Sequence, residues 1–186
     1  MNSGPLPRGV AWRAVARCVG TSTVLFSRGR IRQPREHVGR RIRFADGTTG
    51  RVYRETALER ANADPCVLVV SFRLRLVRGR WHRLFQIESI LNTPLFVGFP
   101  GFVSKLWIAH DGSGLYRGLY EWDGADRADA YARSLWRVLE LVSEKGSVGY
   151  QVLPGLRRDD VLADPGMLAA DASKEHGEWW RVVAAA

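Results

Sequence analysis

The sequence predicts an α+β protein: a ferredoxin-like βαββαβ core with an antiparallel sheet, preceded by an N-terminal β-hairpin extension. Three observations carry this. "CVLVVSFRLRLV" reads as a strand whose second half alternates, with Phe72, Leu74 and Leu76 on one face and Arg73 and Arg75 on the other. "FVSKLWIA" and "LYRGLYEW" are β-rich runs joined by "HDGSG", whose Asp-Gly and Ser-Gly steps signal a hairpin. Residues 125–143 put Ala128, Tyr131, Ala132, Leu135, Trp136, Leu139 and Val142 on one helical stripe, with Asp126, Asp129, Arg133, Arg137 and Glu140 opposite.

In chain order there are three zones and no internal repeat. Residues 1–60 form a basic extension. Within it "RIRFADGTTGRVYRET" reads as a hairpin turning at Asp46-Gly47, flanked by the β-favouring Ile42, Phe44, Val52 and Tyr53. Residues 61–155 form the ferredoxin-like domain. Its first strand follows the loop "NADP", and a helix is expected from about Trp81 to Thr93, stopped by Pro94. The Gly/Pro-rich "GFPG" then turns the chain into the hairpin. Asp123 is the expected cap of the second helix, and "SVGYQVL" is the closing strand. Residues 156–186 form a tail with a short helical turn in "PGLRRDDVLADPG"; it either stays mobile or docks through Trp179 and Trp180. Two helices cover one sheet face. The other face needs a cover, from the N-terminal extension or from a second copy of the chain.

The composition suits a folded chain of 186 residues, 46% hydrophobic and 25% charged, and excludes wholesale disorder. Cys18 and Cys66 make no CxxC or Cys/His cluster, which argues against a disulfide framework or structural zinc and for a reducing, cytoplasmic setting. The net charge of +9 sits wholly in residues 1–60, with 13 arginines against four acidic residues. Such a segment can meet nucleic acid or an anionic membrane, or be an arginine-rich solvated face. No nucleic-acid-binding motif appears, so no nucleic acid partner is expected. No apolar run is long enough to span a bilayer. Arg13 and Arg17 share one face of the first helix, with Ala11, Val15, Cys18 and Val19 opposite, so residues 8–35 could also make weak peripheral contact with a membrane. Walker A, GxGxxG, GxSxG and HExxH patterns are missing, and the four histidines are scattered, so no metal and no cofactor is expected.

Candidate chemistry centres on the expected first helix. At 100° per residue Trp81, Leu84, Phe85, Glu88 and Asn92 share a face. A carboxylate facing the sheet is costly unless paired, and unpaired it is a candidate general acid or base. Glu88 therefore reads as a proton-transfer group, as half of a buried ion pair, for example with Lys105, or as a glutamate at the rim of the apolar stripe. Asn92 either lines a pocket or satisfies carbonyls in the last turn. On the hairpin Tyr116, Gly118, Tyr120 and Trp122 share one face, with Leu115, Arg117, Leu119 and Glu121 on the other. Aromatic walls with few polar tips suit a small-molecule pocket, and they equally suit a core. Gly118, between two tyrosines, would leave room for a ligand or a close chain.

The phrases "GFVSKLW" and "GLYEWDGADRADAYARSLW" resemble the dimeric α+β barrel superfamily, in particular the small proteins related to antibiotic-biosynthesis monooxygenases. The likeness covers about half of the chain and leaves out residues 1–60 and the tail. It implies two ferredoxin-like subunits packed sheet to sheet as a homodimer, each with a pocket between helices and sheet. It further implies secondary metabolism: a cofactor-independent cyclase, isomerase or monooxygenase acting on a hydrophobic, polyketide-like substrate. A non-catalytic ligand-binding or membrane-associated barrel is the alternative. On the first reading Phe85, Asn92, Tyr116, Tyr120, Trp122 and Trp136 line the pocket. Glu88 transfers the proton, and Lys105 is its counter-ion or stabilises an enolate.

Overall fold

A computed structural model describes residues 4–75, 92–110, 112, 114–168 and 178–186. The central unit is built from β4 (Pro65–Arg73), β5 (Phe102–His110), β6 (Leu115–Asp123) and β7 (Gly149–Pro154). Every pairing is antiparallel and the order β7-β4-β6-β5 is that of a ferredoxin-like sheet. β4 is central, and Cys66 through Val70 are buried on both sides, hence its near-continuous apolar run.

The N-terminal segment does not stand apart from this sheet. The hairpin β2 (Arg41–Phe44) and β3 (Thr49–Leu58) forms where the sequence places it. β3 pairs along β5, and a two-residue β1 (Ile31–Arg32) meets the far end of β3. The C-terminal β8 (Val182–Ala185) pairs with β2. Strands from all three sequence zones thus share one eight-stranded sheet.

Three helices complete the described chain: α1 (Arg8–Ser27), α2 (Ala125–Val142) and α3 (Arg158–Ala163). α1 and α2 lie on one face over Leu68, Val70, Phe102, Trp107, Tyr120 and Trp122. α1 buries Ala11, Val15, Cys18 and Ser22, the stripe its spacing dictates, while Val19, expected on that side, stays 37% exposed. Its close seat depends on Gly98. A Cβ there would fall 2.1 Å from the Cys18 carbonyl oxygen, so only glycine lets the 96–99 turn touch the helix backbone.

Two details of α2 differ from the sequence reading. Asp123 does not cap it; the N-cap is Gly124, without a side-chain bond. The Asp123 carboxylate instead accepts the Ala63 and Asp64 N–H groups and pairs with Arg127 at 2.7 Å, which holds its pKa low. Val142, assigned to the apolar stripe, is 48% exposed at the end of the helix. Ser134 is buried instead, its hydroxyl returned to the Ala130 carbonyl.

The second sheet face is covered from within the chain. Val67, Val69, Leu106, Ile108 and Leu119 pack against Val161 and Leu162 of α3, Leu168, Trp180 and Val182. The tail therefore docks, and Trp180 is one of its anchors. The sheet-to-sheet pairing implied by the resemblance would use this same face.

Polar residues fasten the cover. Glu55 of β3 takes the Arg158 guanidinium at 2.8 Å and meets His37 Nδ1 at 3.1 Å, all three nearly inaccessible to solvent. Glu121 accepts the Arg158 backbone N–H and the Asn62 amide. Arg117 donates to Asp46 at 2.6 Å and lies over the Phe44 ring, tying the hairpin turn to β6. These paired charges sit on the face opposite the helices.

Candidate functional site

The face beneath the helices holds a different kind of polar group. Lys105 lies mid-strand on β5, opposite Thr56 of β3 and Tyr120 of β6. It is 6% exposed. Its Nζ sits 3.1 Å from the Trp107 ring centroid, 4.5 Å from that of Phe96 and 4.8 Å from that of Tyr120. Such faces attract a cation, by about 2 kcal/mol when desolvated. No carboxylate among the described residues lies within ion-pair distance. Burial, and secondarily the Arg54 charge, hold the amine well below the ordinary lysine range.

Arg54 comes from the strand added by the extension. It is buried, its Cζ 5.6 Å from the centroid of the same Trp107 ring, and its Nη2 donates to Thr93 Oγ1 at 3.0 Å. Burial lowers its pKa. Thr93 opens the 3-10 turn Thr93–Leu95, and that turn presents Phe96 to Lys105. Above the sheet Tyr131 of α2 donates to Tyr120 at 3.2 Å, and its ring lies 4.7 Å from Trp122. Burial raises the phenols of Tyr120 and Tyr131, so both stay protonated donors at neutral pH.

The predicted residues divide among these surroundings. Lys105 and Tyr120 stand at the centre of the aromatic chamber. Trp122 is fully buried at one end, stacked edge-on with Phe102 at 5.7 Å, and its Nε1 finds no partner among the described residues. Tyr116 lies toward the other end in a separate cluster with Phe72, Leu74 and Ala109, its phenol pushed up to about 12 by burial. Trp136 packs edge-on against Tyr150 at 6.0 Å, beside β7. Asn92 is half-buried and leads into the 3-10 turn beside Thr93. Glu88 and Phe85 lie outside the described residues, as does the helix expected over 81–93 apart from its last two positions. Gly118 opens no room for a ligand. A Cβ there would meet the Tyr120 ring at 2.5 Å, so the space is filled by that tyrosine.

Sequence reasoning missed Arg54, Thr93 and the contact of Phe96 with Lys105. Alternation along β3 places Arg54 on the face of Val52. A β-bulge between them reverses the phase: Val52 stands opposite Ile108, and Arg54 opposite Trp107. A bulge leaves no reliable mark in a single sequence.

Neither a family model nor a curated protein matches the sequence. Three solved structures are similar. A ferredoxin-fold protein from Listeria monocytogenes, described as uncharacterized and related to antibiotic biosynthesis monooxygenases, is 12% identical at a TM-score of 0.43, covering 58% of this chain and 64% of its own. A monooxygenase-like protein from Listeria innocua is 13% identical at 0.42, covering 61% and 68%. An anthrone oxidase-like protein is 11% identical at 0.40, covering 57% and 54%. This chain thus spans between about half and two thirds of its neighbours' lengths.

Proposed function

We propose that the protein is a cofactor-independent tailoring enzyme of cyclase, isomerase or monooxygenase type, acting on a hydrophobic, polyketide-like molecule between sheet and helices. One observation carries the reading: a buried lysine amine ringed by Phe96, Trp107 and Tyr120, with no described carboxylate at its side. An amine whose pKa burial lowers gives up its own proton more readily, and once unprotonated it can take one from an acidic carbon beside a carbonyl. The resulting ammonium then faces the enolate it has made, in a medium where that attraction is strong. Tyr120, held protonated and accepting from Tyr131, is a donor for the enolate oxygen. The enolate can attack a second carbonyl of the same molecule, or react with O2.

Anthrone tests this, being an aromatic ketone with an acidic methylene. With O2 it gives anthraquinone and water. The wild type should accelerate O2 uptake, and Lys105→Met should abolish the acceleration. Glu88→Gln asks whether Glu88 shares the proton transfer. Full turnover by Lys105→Met sinks the role of Lys105.

A second reading, peripheral membrane association, is favoured by α1. Trp12, Val19 and Phe26 recur every seven residues and stay exposed, Phe26 by 77%, among Arg8, Arg13 and Arg17. Among the described residues no helix is long and apolar enough to cross a membrane. Sedimentation with phosphatidylserine vesicles should carry the protein down at low salt, and Trp12→Ser with Phe26→Ser should release it. Equal sedimentation of the double variant removes this reading. A homodimer formed sheet to sheet would need α3, Leu168, Trp180 and Val182 to leave the face they cover; sedimentation equilibrium reads the state directly.

A further inference from the structure

We propose that Arg54 is the anion receptor of the chamber, so that its ligand carries a carboxylate, or an equally delocalised oxyanion, on an aromatic body. The proposal rests on the chamber around Lys105 being a ligand site.

Three arginines are buried among the described residues: Arg54, Arg117 and Arg158. Two have carboxylate partners, Arg117 with Asp46 at 2.6 Å and Arg158 with Glu55 at 2.8 Å. Arg54 has none among the described residues. It is 8% exposed, its Nη2 is spent on Thr93, and its Nε and Nη1 find no hydrogen-bond partner among those residues. A guanidinium keeps its charge in a protein, and buried donors left unmade are expensive. Folding nonetheless places this one there, by a bulge that sets it opposite Trp107, on the face away from Glu55.

The surroundings say what the complement is. Lys105 and Arg54 both lie over the Trp107 ring, so two basic side chains share one aromatic enclosure with no carboxylate from the described residues in ion-pair reach. On this proposal the partner is an anion brought from outside. Arg54 offers a planar set of donors, which selects a planar anion such as a carboxylate; a lysine would be only a point charge. The walls of Trp107, Phe96 and Tyr120 select an aromatic or polyene body for it. Because Arg54 belongs to β3, this selectivity is supplied by the added hairpin and not by the four strands of the central unit.

The experiment compares 2-naphthoate with 2-naphthamide, which share a shape and differ in charge. Binding to the full-length protein is read by calorimetry and by quenching of tryptophan fluorescence. The wild type should bind naphthoate at least tenfold more tightly than the amide. Arg54→Gln should bring the two within about threefold, and Arg54→Lys should keep part of the preference. Naphthoate should raise the melting temperature of the wild type and not that of Arg54→Gln. Equal binding of acid and amide by the wild type overturns the anion receptor and leaves the aromatic chamber standing. A preference undiminished in Arg54→Gln moves the anion to Lys105 and also overturns it. Should Arg54→Gln fail to fold, the wild-type comparison and Arg54→Lys decide alone. Binding of neither probe to the wild type overturns both this proposal and the chamber as a ligand site.

Discussion

Glu55→Gln should be among the most destabilising conservative substitutions in the molecule. Glu55 is buried on the second sheet face, with one oxygen on Arg158 and the other on His37. The amide keeps the shape and removes the charge, leaving the buried Arg158 guanidinium to Asp159, which is itself 60% exposed. Removing one partner of a buried ion pair costs about 3–5 kcal/mol. Asp159 remains as a partial substitute, so the lower end, about 3 kcal/mol, is expected. For a chain of this length that corresponds to a fall of roughly 6–12 °C in Tm. Urea unfolding, followed through tryptophan fluorescence, measures it. The double variant Glu55→Leu with Arg158→Met should cost clearly less than the sum of its single changes, because no charge is then left buried alone. A loss below about 1 kcal/mol for Glu55→Gln, or strict additivity in the double variant, would refute the claim that this pair fastens the C-terminal cover.

Other outcomes follow from the same structure. The folded state depresses the Lys105 pKa below its unfolded value, so between the two values the unfolded chain binds more protons and stability rises with pH. Lys105→Met should therefore be the more stable protein near pH 7, and its advantage should close as pH rises toward 10.5, at about 1.4 kcal/mol per unit of depression; melting curves from pH 7 to 10.5 show it, and a constant difference would contradict it. Gly98→Ala should cost about 1–3 kcal/mol, since its Cβ meets backbone that cannot step aside, and a wild-type urea midpoint would show that α1 sits elsewhere. Burial pushes the Cys66 thiol up to about 11 and raises that of Cys18, so neither should react with a thiol reagent at pH 8 until denaturant is added.

The central strands were legible because their alternation has a period of two and their turns carry Asp-Gly and Ser-Gly. Both faces of β6 are as its spacing dictates, Tyr120 and Trp122 beneath the helices and Leu119 on the second face. The residues that complete the chamber were not legible, for three separate reasons. Arg54 stands on the helix side only because a bulge reverses the phase of β3. Gly118 suggested a vacancy, yet the absent Cβ serves the Tyr120 ring. Asp123 has the residue type of a helix cap and spends its oxygens on another loop. The short helical turn of α3 and the docking tryptophans were legible, but not that they cover the second face, because β8 has only four residues, too few for a periodicity to show, and Glu55 and Arg158 meet across about a hundred positions of sequence.

The pairing of β8 with β2 has a bearing on how the molecule is made. Ile42 lies opposite Ala185, and Arg41 exchanges both backbone hydrogen bonds with Ala186. Nearly the whole chain must be looped to bring these residues together, and such contacts form late and slowly. Until they form, β2 is an open edge with unpaired amides and carbonyls, ready to accept a strand from another molecule. The four residues of β8 thus act as a stopper against edge-to-edge association, and a chain shortened by them should be lost to aggregation before it is lost to unfolding.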